Sequence, residues 1–150
     1  MLYLFRITLK KWSQDLVGSG YPARWNRKGE HVIYTAESAS LACLENVVHR
    51  SGEGLHKNFA LMKIGVPNGT AISNITPRRL PKNWSDFENY AKCQEIGSQW
   101  YHKKDTVLLR VPSAIIPEEY NYLINTTHPI FSKIKIKETR PFIFDPRIKK

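Results

Sequence analysis

The sequence predicts an α+β protein, a mixed or antiparallel sheet with a few helices, folded as a single compact domain over residues 1–150. Three observations carry this. Strand-like segments outnumber helical ones. They do not alternate regularly with helices, which argues against a doubly wound parallel sheet. No internal repeat, low-complexity tract or linker divides the chain, and 150 residues are enough for one real core.

Residues 2–8 form a short apolar strand with Arg6 inside it. Gly18, Ser19, Gly20 and Pro22 make residues 10–23 a loop, and Arg24, Trp25 and Asn26 sit near its end. The β-branched and aromatic run HVIYTA, residues 31–36, predicts a strand. Ser38 is placed to cap a helix that runs to about His49. Residues 50–57 hold Gly52 and Gly54 and form a connection. Residues 59–66 are a strand closed by the turn signal Pro67-Asn68-Gly69, and residues 70–75 offer a short strand.

Residues 77–84 are a proline-bounded basic loop. Ser85, with Glu88 three residues on, has capping-box spacing and predicts a helix to about His102. Phe87, Tyr90, Ala91, Gly97 and Tyr101 would share one face, with Gly97 weakening the later part. Residues 106–111 are a strongly apolar strand stopped by Pro112, followed at once by Ser113. Residues 118–125, polar and aromatic, read as a loop or a short turn of helix. Residues 131–137 alternate as a half-buried strand, and residues 142–144 are a short apolar run.

Composition bounds the function. The chain is 41% apolar and 24% charged, ordinary for a soluble globular protein. There is no run of 18 apolar residues and no signal-peptide pattern, so the expectation is a cytoplasmic protein without membrane contact. Cys43 and Cys93 fit reduced thiols within helical patterns and lack metal-ligand spacing with the five histidines, so no metal is expected. The net charge of +10 attracts polyanions or an acidic partner. It is also what a solvated surface with Lys133, Lys135 and Lys137 alternating along a strand, and a basic end at Arg147, Lys149 and Lys150, would give. No helix-turn-helix, zinc-finger or RNA-binding signature is present.

One residue in the helix after Ser38 stands out. Leu41, Leu44 and Val48 form its apolar stripe, and an advance of about 100° per residue places Glu45 among them. A carboxylate buried there costs several kcal/mol unless its desolvation is offset. Either it has a cationic partner or it faces a pocket where a ligand arrives. Arg6 and Arg110, each inside a strand, are candidates to pair with buried carboxylates.

The pieces ARWN, VIYTAES-SLACLE, W--------CQ-IGSQW, LLRVPSAIIPEEYNYLIN, HP-F and PFIFDPR occur here in order. This ordered set resembles the RES-domain proteins, toxins of a bacterial toxin–antitoxin system, over about residues 5–147. The resemblance implies a fold like that of ADP-ribosyltransferases and an enzyme that depletes NAD by cleaving the nicotinamide–ribose bond. It assigns catalytic roles to Arg24, Glu45 and Ser113. It places Arg24, Tyr34 and Asn121 in the substrate site, with NAD as substrate and no separate cofactor. Ala23 stands where many members have glycine, and its methyl group disfavours positive φ. Asn121 and Asn125 match an N-Y-L-x-N piece, with the expected job of fixing the loop around Ser113. The family's antitoxins resemble Xre-type DNA-binding proteins, so DNA contact would be the partner's and not this chain's.

Chemistry agrees with these assignments. Breaking the nicotinamide–ribose bond builds oxocarbenium character on the ribose, which a carboxylate such as Glu45 stabilises. Arginine's planar fork binds pyrophosphate oxygens, and Arg24 can also pair with Glu45 in an empty site. Tyr34 offers a face for nicotinamide and a hydroxyl to orient it. Ser113 can hold Glu45 or the ribose by a hydrogen bond. His49, one turn past Glu45, is a solvated helix-end histidine or a further support. Two alternatives remain: a transferase that modifies a protein with ADP-ribose, and a basic nucleic-acid-binding or RNase-like toxin.

Overall fold

The computed structural model describes residues 1–50 and 52–148. Ser51 in the predicted connection, and the basic end at Lys149 and Lys150, lie outside the described residues. Seven strands among the described residues form one sheet: β1 (Leu2–Leu9), β2 (Val32–Ala36), β3 (Phe59–Val66), β4 (Ile72–Asn74), β5 (Leu108–Pro112), β6 (Tyr120–Asn125) and β7 (Lys135–Phe142). Their order across the sheet is β4-β5-β6-β2-β1-β3-β7. Only β4 and β5 pair parallel. With two α-helices, α1 (Ala39–His49) and α2 (Tyr90–Lys103), this is the expected α+β class with a mixed sheet.

Alternation of side chains splits the core. One face carries Leu4, Ile33, Met62, Ile64, Leu108 and Ile124. The other face carries two neighbouring clusters. Val32, Leu109, Val111 and Leu123 lie under Cys93, Trp100 and Tyr101 of α2. Ile7, Ala36, Phe59 and Leu61 lie under Leu41 and Ala42 of α1, with Phe144 closing the edge. Both helices therefore sit on the same face.

Several boundaries correct the sequence reading. Residues 118–125 hold no helix or free loop but β6, paired along its length with β2 and β5. Its asparagines hid it: Asn125 is fully buried, yet its amide donates to the Tyr101 carbonyl at 2.9 Å, so a polar residue is satisfied in the core. Ser85 caps nothing. A 3-10 turn, Phe87–Asn89, leads into α2, and no side chain caps either. Phe87 and Ala91 are exposed, and α2 buries Cys93, Gly97, Ser98, Trp100 and Tyr101 instead. A second 3-10 turn, Phe131–Lys133, takes the start of the predicted last strand, and β7 runs on to Phe142. Ser38 does cap α1, its hydroxyl accepting the Leu41 N–H at 3.1 Å.

Gly97 has a packing role. A Cβ built there would lie 1.7 Å from the carbonyl oxygen of Trp25. The loop holding Arg24 thus rests directly on the α2 backbone, a closeness only glycine allows.

Candidate active site

Strands β2 and β5 are each antiparallel to β6 between them, so they run the same way and end side by side. The chain leaves β2 into α1, and it leaves β5 at Ser113. This brings together two residues far apart in sequence. The Ser113 hydroxyl donates to Glu45 Oε1 at 2.8 Å. Ser113 Oγ also accepts the N–H groups of Ile115 and Ile116, both at 3.1 Å. Ser113 is fully buried, so its rotamer is fixed by the turn it closes.

Glu45 keeps only 20% of its side chain exposed. The inward placement follows from the helical period, but the stripe differs from expectation. Val48 is half exposed, while Val47 beside it packs against the core. Asn46 takes the inward place further along, donating to the carbonyls of Ile7 and Ala42, both at 3.1 Å. His49 Nε2 lies 3.6 Å from Glu45 Oε2 and is largely solvated, as expected of a helix-end histidine.

Arg24 makes no ion pair with Glu45 among the described residues. Its guanidinium instead lies over Tyr90, 5.3 Å from the ring centre, and over Trp84 at 5.8 Å. One nitrogen reaches the Trp84 carbonyl at 3.5 Å. Flat aromatic faces and a backbone dipole thus replace the carboxylate as the cation's surroundings. Among the described residues the fork's charge has no anionic partner, and Arg6 and Arg110 likewise have no carboxylate partner. Arg6 reaches the Val17 carbonyl at 3.5 Å, and burial lowers its pKa. Arg110 donates to Asn74 Oδ1 at 3.2 Å and stacks on Tyr120 at 3.4 Å.

Tyr34 sits beside this loop. Its hydroxyl accepts the Trp25 N–H at 3.0 Å and donates to Asn26 Oδ1 at 2.7 Å. Burial first of all pushes its pKa well above the ordinary tyrosine range, with the Trp25 hydrogen bond and the nearby Arg24 charge acting the other way. The hydroxyl's hydrogen is therefore committed to bracing the Trp25–Asn26 turn. Ala23 pairs with Asn26 across that turn and has no positive φ, so the methyl group in place of glycine strains nothing.

Sequence reasoning missed the residues of α2 that seat this loop. Gln94 donates to the carbonyls of Ala23 at 2.9 Å and Asn26 at 3.1 Å. Glu30 is 5% exposed and accepts from the Arg27 N–H, the Ser98 hydroxyl and His102 Nε2. Trp84 and Tyr90, which carry Arg24, were also missed, since no spacing links them to it. Gln94 and Ser98 left a signal, as polar residues on the side of α2 that carries Cys93, Gly97 and Tyr101. Asn121 does not fix the Ser113 loop: its amide reaches back to the Thr35 carbonyl of β2 at 3.4 Å. Asn125 anchors the end of α2 and the turn at Thr127. A groove of about 770 Å³ between residues 52–59 and 141–148 holds none of Arg24, Tyr34, Glu45 or Ser113.

Among the described residues no group of His, Cys, Asp or Glu could hold a metal ion, and no helix is long and apolar enough to cross a membrane. Two groups are on offer, a largely buried carboxylate aimed by Ser113 and an arginine set among Trp84 and Tyr90, with no ion pair joining them among the described residues. Such groups can stabilise developing positive charge and bind anionic oxygens.

Comparison with known proteins gives the family of the chain. The chain is 42% identical over 142 residues to the "Prs ADP-ribosylating toxin" of Sphingobium sp. (strain YBL2), covering 91% of this chain and 88% of that protein. It is 34% identical over 154 residues to the "Toxin Res" of Yersinia enterocolitica, covering 99% of this chain and all of the relative. The "Toxin Res" of Photorhabdus laumondii is likewise 34% identical, over 99% of this chain and 98% of that protein. The family model described as RES domain matches residues 3–145, and the chain belongs to the RES domain family.

Proposed function

We propose that this chain is a toxin that degrades NAD by cleaving the bond between nicotinamide and ribose. The observation that carries the reading is Glu45, four-fifths buried on α1 and held by the Ser113 hydroxyl at 2.8 Å. In the reaction the C1′–N bond breaks, its electron pair leaves with neutral nicotinamide, and positive charge grows on the ribose. Glu45 stabilises that charge, and water or phosphate then adds to C1′ and releases a proton. Arg24, with no carboxylate beside it, is free to take the pyrophosphate in its fork. NAD is the substrate, with no separate cofactor, and the cytoplasm is the compartment that supplies it.

A second reading is favoured by one observation, the name of the 42% identical relative, an ADP-ribosylating toxin. In that reading a protein side chain replaces water at C1′, with the same Arg24 and Glu45. The relatives named as toxins support an antitoxin partner for this chain. From the family resemblance this partner is of Xre type. Its fitting feature would be a carboxylate-bearing segment directed at Arg24, consistent with the chain's net charge of +10.

The test is nicotinamide release from NAD by the purified chain, with and without phosphate, beside Glu45→Gln. The amide keeps the shape and removes the charge, and turnover is expected to fall by about 10²–10³. Release within twofold of wild type in folded Glu45→Gln removes the assigned role. Nicotinamide released one for one with ADP-ribose label on a protein, rather than with free ADP-ribose or its phosphate, favours the transferase reading.

A further inference from the structure

The aromatic groups around Arg24 extend further than a phosphate contact needs. Trp84 lies on one side of the guanidinium and Tyr90 on another, 5.8 and 5.3 Å from the ring centres. Tyr90 in turn stacks on Phe87, with ring centres 5.9 Å apart and planes inclined by 26°. Phe87 is 87% exposed, so nothing among the described residues covers its outer side. A phenylalanine this exposed is costly in water, and here it continues a line of stacked planar groups that begins inside the site.

We propose that Phe87 and Tyr90 form an outer stacking subsite for the adenine base of the dinucleotide, so that Arg24 holds the pyrophosphate between this subsite and Glu45. The inference rests on the NAD reading and deepens it. A dinucleotide has two arms joined at its pyrophosphate. Glu45 and Ser113 lie on α1 and at the end of β5, whereas Phe87 and Tyr90 lie at the entry to α2, on the element that seats Arg24. The adenine arm needs a flat, neutral, half-wet surface, which a stacked pair of rings at the surface supplies. The exposed carboxylates Asp86 and Glu88 flank Phe87 in the chain. They disfavour a polyanion running past this point, which fits a terminal base better than a nucleic-acid strand.

Phe87 is on the surface, so Phe87→Ala folds and the test is clean. Nicotinamide release is measured from NAD and from nicotinamide mononucleotide, which lacks the adenosine arm, for wild type, Phe87→Ala and Phe87→Trp. Phe87→Ala is expected to lower kcat/KM for NAD about tenfold, chiefly through KM, with Phe87→Trp restoring it. The mononucleotide is turned over equally by all three. A parallel calorimetric titration with adenosine diphosphate reads the subsite without catalysis, and Phe87→Ala is expected to weaken that binding to a similar degree. An unchanged KM for NAD, an equal loss on both substrates, or adenosine diphosphate binding indifferent to Phe87 overturns the subsite. Absence of nicotinamide release from wild type, with Phe87-dependent adenosine diphosphate binding intact, overturns the NAD-cleavage reading and leaves the subsite standing.

Discussion

The Ser113 hydroxyl donates to Glu45 Oε1 while accepting two backbone N–H groups from its own turn. The donor's single hydrogen is thereby aimed at the carboxylate, since both lone-pair directions are occupied by the Ile115 and Ile116 amides. Ser113→Ala removes a hydrogen bond to a charged group, worth about 1.5–3 kcal/mol, and leaves two amides unpaired. Nicotinamide release is expected to fall ten- to a hundredfold, with a lower melting temperature. Unchanged kcat in Ser113→Ala would show that the carboxylate needs no such alignment.

A methyl group at position 97 has nowhere to go. The Trp25 carbonyl stands 1.7 Å from where it would be, so either α2 or the Arg24 loop must shift. Gly97→Ala raises helix propensity by up to about 1 kcal/mol and yet is expected to destabilise by several kcal/mol. Thermal unfolding followed by circular dichroism checks the sign. A more stable Gly97→Ala protein would contradict the observed contact.

Tyr34 gives a pH prediction. Its folded-state pKa is raised by burial, so the folded chain favours the neutral phenol. That contribution is complete below the pKa of an ordinary tyrosine, about 10, and is lost as pH rises from there towards the folded value. Tyr34→Phe leaves the Trp25 N–H and Asn26 Oδ1 without their partner and is expected to cost about 1–3 kcal/mol at neutral pH. Denaturant unfolding at a series of alkaline pH values should show the stability gap between wild type and Tyr34→Phe narrowing above about pH 10, since Tyr90, also raised by burial, titrates in both proteins. A constant gap between the two across that range would be the contrary result.

Much of the fold was readable because its signals are local. Residues 59–66 are apolar and β-branched and form β3 with the predicted bounds, and Ser38 fixes the start of α1 through its own side chain. Glu45's inward direction followed from helical geometry alone. What escaped were relationships across the chain. Tyr120–Asn125 reads as polar until β2 and β5 flank it and Tyr101 satisfies Asn125. Arg24 reads as a partner for Glu45 until Trp84 and Tyr90 are seen beneath it. Gly97 reads as a weakness until the Trp25 carbonyl is found against it. In each case the deciding contact lies far off in sequence, where no periodicity points.

The outermost strand β7 has a consequence of its own. It runs from Lys135 to Phe142 at the end of the sheet, and most of it is open to water. A long free rim of peptide groups is a template on which a second copy of the chain can add, the first step towards insoluble aggregates. Lys135, Lys137 and Arg140 outnumber Glu138 along that rim and leave it net positive. A twin strand would have to bring its own cations alongside. Part of the +10 charge thus acts as a repellent that keeps copies apart, independent of anything the protein binds.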